Sequence, residues 1–98
     1  MENTIMNIPD ELDGAKVIQY TKNSTQNEFG VVNIISEDNE VIDVCPITAL
    51  AICKYSDGNG YYLFSCDLNW EVVGDTFHYS LEEAIDFADV KETEWLFK

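Results

Sequence analysis

His78 is the only histidine in the chain and the first residue to consider for chemistry. A nucleophilic triad needs a histidine beside a serine or cysteine, with a carboxylate that orients the imidazole. Asp75 and Ser80 are near His78 in sequence, but both lie at element boundaries, and Ser80 is better explained as a helix cap. The sequence therefore favours a packing role for His78 near the start of a helix. We predict no catalytic residue and no enzymatic activity.

Two further groups could bind metal, and neither has the required spacing. An EF-hand loop needs glycine and glutamate at fixed later positions, where a loop starting at Asp57 has Tyr62 and Leu68. The Asp-Gly-Asn-Gly sequence at 57–60 is instead typical of a hairpin turn. The cysteines are odd in number and form no C-x-x-C pair, which is typical of reduced core thiols. They are Cys45, Cys53 and Cys66. We predict no metal and no cofactor.

Carboxylates dominate the charged groups. Nineteen acids stand against five lysines, there is no arginine, and the formal net charge is −14. A small domain needs a net charge of only about 2–8 in magnitude for solubility, so solubility alone does not explain the excess. Such a charge attracts basic partners and opposes direct contact with phosphate backbones. We therefore predict a basic protein partner and no direct binding to nucleic acid.

The acids concentrate in the C-terminal third. Within residues 80–91 no acid and lysine are four apart, whereas Glu82 and Asp86 have this spacing with like charge. An acidic helix face is commonly just solvated, but here the repulsion is uncompensated, which favours an electrostatic role. We predict that the partner is bound by six carboxylates and two aromatic anchors. These residues are Glu71, Asp75, Glu82, Glu83, Asp86, Asp89, Tyr62 and Trp70.

The elements that must position these residues are mostly strands. The β-branched run within 29–36 is typical of a buried strand, and the acidic turn at 37–40 pairs it with the next strand as a hairpin. Pro9 followed by acids predicts one helical turn that Gly14 ends. Strands are predicted over 15–22, 29–36, 41–44, 47–55, 61–66 and 70–76.

One helix follows the last strand. Ser80 and Glu83 have the spacing of a capping box, and an apolar stripe follows at helical spacing. The stripe is Leu81, Ala84, Ile85 and Ala88. The apolar segment at 92–98 is expected to dock on the core. The predicted fold is α+β, a single domain over 1–98, with an antiparallel meander sheet of about five strands and one C-terminal helix packed on one face. The other face must be polar or meet a partner.

The N-terminus and the lengths of the apolar runs bear on location. Met1-Glu2-Asn3-Thr4 has an acid where a signal peptide carries positive charge. No stretch approaches the roughly 20 apolar residues of a membrane span. We expect a cytoplasmic protein that does not enter membranes.

The C-terminal half carries a sequence pattern of its own. It runs Tyr-Tyr-Leu-Phe at 61–64, Cys-Asp at 66–67 and Asn-Trp at 69–70, then Asp-Thr at 75–76 and, through His78 and Ser80, Glu-Glu-Ala at 82–84. From Gly60 to Ala88 the chain resembles small acidic bacterial immunity proteins of polymorphic toxin systems. The resemblance implies a non-enzymatic inhibitor that binds one toxin.

Two functions follow from these observations. The first is a toxin-neutralising immunity protein that blocks a basic partner such as a nuclease toxin. The alternative is a structural or regulatory module that acts as a homo-oligomer through an exposed aromatic sheet face. The aromatic residues behind the alternative lie close together in sequence, and alternation along a strand directs some of them away from the core. They are Tyr61, Tyr62, Phe64, Trp70 and Phe77.

Overall fold

The computed structural model describes residues 8–98, which form a main antiparallel sheet, a separate two-stranded ribbon and one α-helix. A 3-10 turn at Glu92–Glu94 precedes the last strand. The elements in chain order are β1 (Glu11–Leu12), β2 (Ala15–Thr21), β3 (Val31–Ile35), β4 (Val41–Pro46), β5 (Ala49–Lys54), β6 (Tyr61–Cys66), β7 (Val72–His78), α1 (Leu81–Ala88) and β8 (Trp95–Phe97).

The main sheet has the strand order β1-β2-β5-β6-β7, and β8 pairs with β2. All of these pairs are antiparallel. The predicted α+β class, with one C-terminal helix on an antiparallel sheet, is confirmed. The last long strand begins at Val72 rather than at 70, because Trp70 takes a φ of 61° in the preceding turn.

The β3–β4 hairpin lies outside the main sheet, so the predicted meander is interrupted at this point. β2 pairs directly with β5, and the hairpin is a two-stranded ribbon inserted between them in sequence. The prediction that 29–36 forms a buried strand is wrong, because Val31 and Ile35 are more than half exposed. β-branched residues favour extended backbone, so this segment forms a strand although no other part of the described chain packs over its side chains. Pro46 ends β4 opposite Val31.

Both faces of the main sheet are covered. On one face, α1 packs over Leu50, Ile52 and Leu63. On the other face, Leu12 and Trp70 cover a set of mostly small side chains. That set is Ala15, Val17, Ala49, Ala51, Cys53, Phe64 and Cys66. We predicted that the sheet face away from the helix must be polar or meet a partner. That prediction is wrong for the centre of this face, because residues of the same chain bury it.

The two ends of the described chain both join β2. The predicted helical turn at Pro9 is wrong: Leu12 pairs with Ala15 across a tight turn in which Asp13 and Gly14 both have positive φ. Two left-handed residues in succession are typical of hairpin turns. In the 92–98 segment Trp95 is buried as predicted, whereas Leu96 and Phe97 are exposed, so only Trp95 docks on the core. The predictions for Met1–Thr4 lie outside the described residues.

α1 begins where the sequence predicted. Ser80 is the N-cap, and its Oγ accepts a hydrogen bond from the Glu83 N–H at 3.1 Å. The Glu83 carboxylate in turn accepts from the Tyr79 N–H at 3.0 Å. Within residues 8–98, no helix combines the length and the apolar composition needed to cross a membrane.

Removing the cap gives a first stability prediction. Ser80→Ala should lower the free energy of unfolding by about 1 kcal/mol, because one N-terminal N–H of the helix loses its acceptor. Ser80→Asp keeps an acceptor and should stay close to the parent protein. Urea denaturation followed by circular dichroism measures both values. Equal stability of the alanine and aspartate variants would contradict the cap assignment.

The buried thiols give a pH prediction. The three cysteines are free, and burial raises the pKa of both Cys53 and Cys66 to about 12. Unfolded thiols ionise near their ordinary pKa of 9.0, so above that pH the folded chain holds more protons than the unfolded chain. The free energy of unfolding should therefore fall as the pH rises from about 9 toward 12. Urea denaturation across this range measures the fall.

The matched control for this prediction is Cys53→Ala/Cys66→Ala, which lacks both thiols. Its stability should depend less steeply on pH over the same range. Parallel pH profiles for the parent and the double variant would show that other groups control the alkaline loss of stability.

Candidate partner-binding surface

α1 presents a row of carboxylates to solvent. Glu82 and Asp86 are four residues apart and share one face of the helix, and Asp89 follows as the C-cap of the helix, with left-handed backbone. All three are exposed. The predicted apolar stripe packs toward the sheet, where Ala84 is fully buried. The helix therefore separates an apolar face from an acidic face, as its sequence pattern predicts.

The lysines do not neutralise this acidic face. All five lysines belong to the described part of the chain, and there only Lys98 forms an ion pair, with Asp10 at 3.1 Å. Lys54 lies 5.0 Å from the centre of the Tyr61 ring and donates to the Gly58 carbonyl. The carboxylates of α1 thus have no lysine partner among residues 8–98.

The N-terminal end of α1 is tied to β7 through His78. The Thr76 hydroxyl lies 2.7 Å from His78 Nε2, and His78 Nδ1 lies 3.4 Å from the Glu83 carboxylate. The imidazole is buried, with its centroid 4.9 Å from that of Phe87. Glu83 therefore joins the imidazole to the capped helix start, where the sequence predicted a packing histidine.

Thr76 was not among the residues predicted from sequence, because the triad considered there needs a serine or cysteine beside the histidine. Thr76 and His78 are two apart in a strand, a spacing that places both side chains on one face of the sheet. Hydroxyl, imidazole and carboxylate here follow the order of a triad. Glu83 also accepts the Tyr79 N–H, so the cluster connects the end of β7 to the start of α1.

A groove runs beside the acidic row, between α1 and the β2–β8 edge of the sheet. Its volume is about 790 Å³. Asp86, Asp89 and Glu92 line it together with the buried side chains of Gln19 and Trp95. Two of the predicted partner-binding carboxylates thus border a concave surface. The sequence pattern did not point to Gln19 or Trp95.

Comparison of the chain with protein-family models, with curated proteins and with solved structures found no match in any of the three.

The remaining predicted residues lie away from α1. Asp75 stands opposite Phe64, and Tyr62 opposite Phe77, in the β6–β7 ladder. Directly opposed residues share a face of the sheet, and Phe64 belongs to the core on the side away from the helix. Asp75 and Tyr62 therefore face away from the acidic row.

Glu71 and Trp70 flank the turn between β6 and β7. Glu71 is exposed, and its N–H donates to the Asp67 carboxylate at 2.9 Å. Trp70 is only 5% exposed and packs edge-on against Tyr20, with ring centroids 6.1 Å apart. Trp70 is thus a core residue in this structure and offers little surface to a partner.

A line of aromatic rings crosses the sheet face opposite α1. Each ring in this line packs edge-on against the next, with neighbouring ring centroids 5.0–5.3 Å apart. The rings belong, in spatial order, to Tyr55, Tyr62, Phe77 and Tyr79. Tyr79 and Phe77 are exposed, and Tyr62 is half-buried. We call these four residues the aromatic strip. Tyr62 is the one predicted anchor that belongs to it.

The β3–β4 ribbon is the third exposed surface. Its strands make their substantial contacts only with each other. Six aliphatic side chains are exposed along it, on both of its faces: Val31, Ile34, Ile35, Val41, Ile42 and Val44. The acids of the 37–40 turn lie at its tip. The sequence predicted this hairpin but not its exposure.

Proposed function

We propose that this chain is a non-enzymatic acidic binding protein that acts in the cytoplasm by occupying a basic protein partner. The observation that carries the proposal is the exposed row of Glu82, Asp86 and Asp89, which has no lysine ion pair within residues 8–98. Like charges four apart on a helix cost a few tenths of a kcal/mol when nothing compensates them. A cationic partner surface supplies that compensation.

The partner that fits this surface best is a toxin domain whose own substrate is anionic, such as a nuclease. Proteins that bind nucleic acid gain most of their affinity from lysine and arginine contacts with phosphates. A row of carboxylates presents to such a basic groove the same negative charge that the phosphates carry. Complementary charge also speeds encounter, to about 10⁸–10⁹ M⁻¹s⁻¹ at low salt.

The resemblance of residues 60–88 to bacterial immunity proteins supports the same proposal. In the structure this stretch contains β6, β7 and α1, which pack against one another. It also contains Glu82 and Asp86 of the acidic row. An immunity protein inhibits by binding, so this function needs no catalytic group.

The experiment compares two variants with the same net charge. The helix-neutral variant is Glu82→Gln/Asp86→Asn/Asp89→Asn, and the ribbon-neutral variant is Glu37→Gln/Asp38→Asn/Glu40→Gln. Each removes three acids, and none of the six side chains has a hydrogen bond or ion pair among the described residues that it would lose. Each immobilised protein is used to capture a partner from the lysate of its own cells, and captured proteins are identified by mass spectrometry.

The proposal predicts that the parent and the ribbon-neutral variant retain one basic protein that salt releases. The helix-neutral variant should bind that protein about tenfold to a hundredfold more weakly, since three exposed ion pairs at about 0.5–1 kcal/mol each are lost. Retention of the same protein by all three chains, or of none that is basic, would overturn the proposal.

A second candidate function is a structural or regulatory module that forms a homo-oligomer, and the exposed ribbon favours it. An isolated two-stranded ribbon is marginally stable in water. In the described chain β3 and β4 pair only with each other, so their outer edges offer unpaired backbone groups to a second copy. The aromatic strip on the sheet face is the other surface that such an assembly would bury.

Light scattering after size exclusion separates the two candidates. A homo-oligomer predicts a mass at least twice the 11.2 kDa of one chain. If the ribbon is the interface, the double variant Ile35→Thr/Ile42→Thr should dissociate the oligomer. If the aromatic strip is the interface, the double variant Phe77→Ser/Tyr79→Ser should dissociate it instead. A mass of one chain at micromolar concentration rejects this candidate and leaves the first.

A further inference from the structure

Two buried polar atoms in the groove beside α1 are not satisfied by the described chain. Gln19 is 4% exposed and Trp95 is 6% exposed. Gln19 Oε1 and Trp95 Nε1 have no hydrogen-bond partner within residues 8–98. Both side chains line the groove. Buried polar groups in native proteins almost always have hydrogen-bond partners, because an unpaired group loses its hydrogen bonds to water and gains none in exchange. Both atoms are shielded from solvent, so the pair points to a ligand whose entry into the groove moves the side chains that cover them.

A bulge in β2 is what turns Gln19 toward the groove. Val17 pairs with Cys53, on the sheet face away from the helix, whereas Gln19 pairs with Ile52, which lies under the helix. The register shifts between Val17 and Gln19, and strict alternation would have kept the two side chains on one face. Such bulges commonly redirect a side chain at a functional place.

The chemistry of the lining defines the ligand. Gln19 Oε1 accepts a hydrogen bond and Trp95 Nε1 donates one, so a peptide unit with its N–H and C=O complements both. Asp86, Asp89 and Glu92 border the same groove, and no lysine lines it. The ligand is therefore cationic as well. Ile85, Val90 and Phe97 add apolar surface for the stem of a long basic side chain.

We propose that this groove binds an extended basic segment of the protein partner. Main-chain amides of the segment satisfy Gln19 and Trp95, while a lysine or arginine pairs with the carboxylates of Asp86, Asp89 and Glu92. The groove volume of about 790 Å³ lies within the range of about 300–1,000 Å³ that is typical of binding sites. This inference rests on the proposed function and specifies where the partner is held.

The first test uses a defined probe. Isotope-labelled full chain is titrated with the peptide acetyl-Gly-Lys-Gly-Arg-Gly-amide and observed by NMR, and acetyl-Gly-Gln-Gly-Gln-Gly-amide is the neutral control. The indole N–H signal of Trp95 should move with the basic peptide and not with the neutral one. The indole of Trp70, which does not line the groove, is the internal reference.

Two conservative variants test the role of the unsatisfied atoms. Gln19→Leu and Trp95→Phe each delete one of them and keep an apolar side chain of similar shape. Each should bind the basic peptide about tenfold more weakly, and thermal unfolding should show both variants folded. The ribbon-neutral variant is the control for general charge effects and should bind like the parent.

The outcomes separate this inference from the proposed function. If the peptide moves signals of α1 but leaves the Trp95 indole unchanged, the acidic surface binds while the groove assignment fails. The groove assignment also fails if both conservative variants bind like the parent, because a bridging water then satisfies the two atoms. Failure of the lysate capture described above would instead remove the proposed function itself.

Discussion

Gly60→Ala should lower the free energy of unfolding by about 3 kcal/mol. Gly60 is buried in the turn that leads into β6, and a Cβ at this position would overlap the Phe77 ring and lie 2.7 Å from the His78 carbonyl oxygen. That oxygen belongs to the backbone of β7, where His78 pairs with Tyr61. The clash is therefore relieved only by displacing the strand that carries His78 to the start of α1.

Gly58→Ala is the matched control in the same turn. Its Cβ would lie 3.6 Å from the Tyr55 Cβ, which is an ordinary contact, so its stability should stay within about 0.5 kcal/mol of the parent. Urea denaturation followed by circular dichroism compares the two variants. Equal loss of stability in both variants would contradict the claim that Gly60 lies too close to β7 to accommodate a Cβ.

Phe64→Ala is the second large effect, with an expected loss of about 3–5 kcal/mol in the free energy of unfolding. Phe64 is 1% exposed and is among the largest fully buried side chains. Its neighbours in this core include alanines and cysteines, which are too small to fill the space that the ring leaves. The cavity therefore adds to the loss of apolar burial.

Phe97→Ala is the control for Phe64→Ala, because the Phe97 side chain is 77% exposed. It should cost less than about 1 kcal/mol, in the range of surface substitutions. Thermal or urea denaturation of both variants gives the comparison. A small loss for Phe64→Ala would contradict the existence of a self-contained core on the sheet face away from the helix.

Local signals in the sequence predicted the local parts of this fold. The Asp-Gly-Asn-Gly turn at 57–60 joins β5 and β6 as expected, and Ser80 caps α1. Both features depend on a few consecutive residues. Pairing between β2 and β5 brings together residues more than thirty positions apart in sequence, and no local pattern specifies it. That non-local pair is what excludes the β3–β4 ribbon from the sheet.

The candidate site was predictable only in part, for the same reason. Helical periodicity places Glu82 and Asp86 on one face of α1 as expected, and Asp89, the C-cap, lines the same groove as Asp86. The separation of Asp75 and Tyr62 from that surface depends on which sheet face the helix covers. The burial of Trp70 depends on its left-handed backbone in the turn, a conformation that sequence rarely predicts for a bulky residue.

The exposed ribbon illustrates a limit of hydrophobicity as a guide to burial. The aliphatic run of β3 has the composition of a core strand, yet Ile35 is exposed. Strand propensity and burial normally coincide because strands pack in layers. Here the second layer is missing, so a contact with a second chain would bury the ribbon. The light-scattering experiment decides whether that chain is another copy of this one.

The dependence of the association rate on salt tests the central claim most directly. The captured partner is mixed with the parent, helix-neutral and ribbon-neutral chains by stopped flow over a range of sodium chloride concentrations. Since salt screens exposed charges over about 10 Å at 0.1 M, the parent and ribbon-neutral rates should fall steeply as salt rises. The helix-neutral rate should be lower and flatter. A parent rate that salt does not change, or equal rates for the parent and helix-neutral chains, would contradict the claim that the carboxylates of α1 attract the partner.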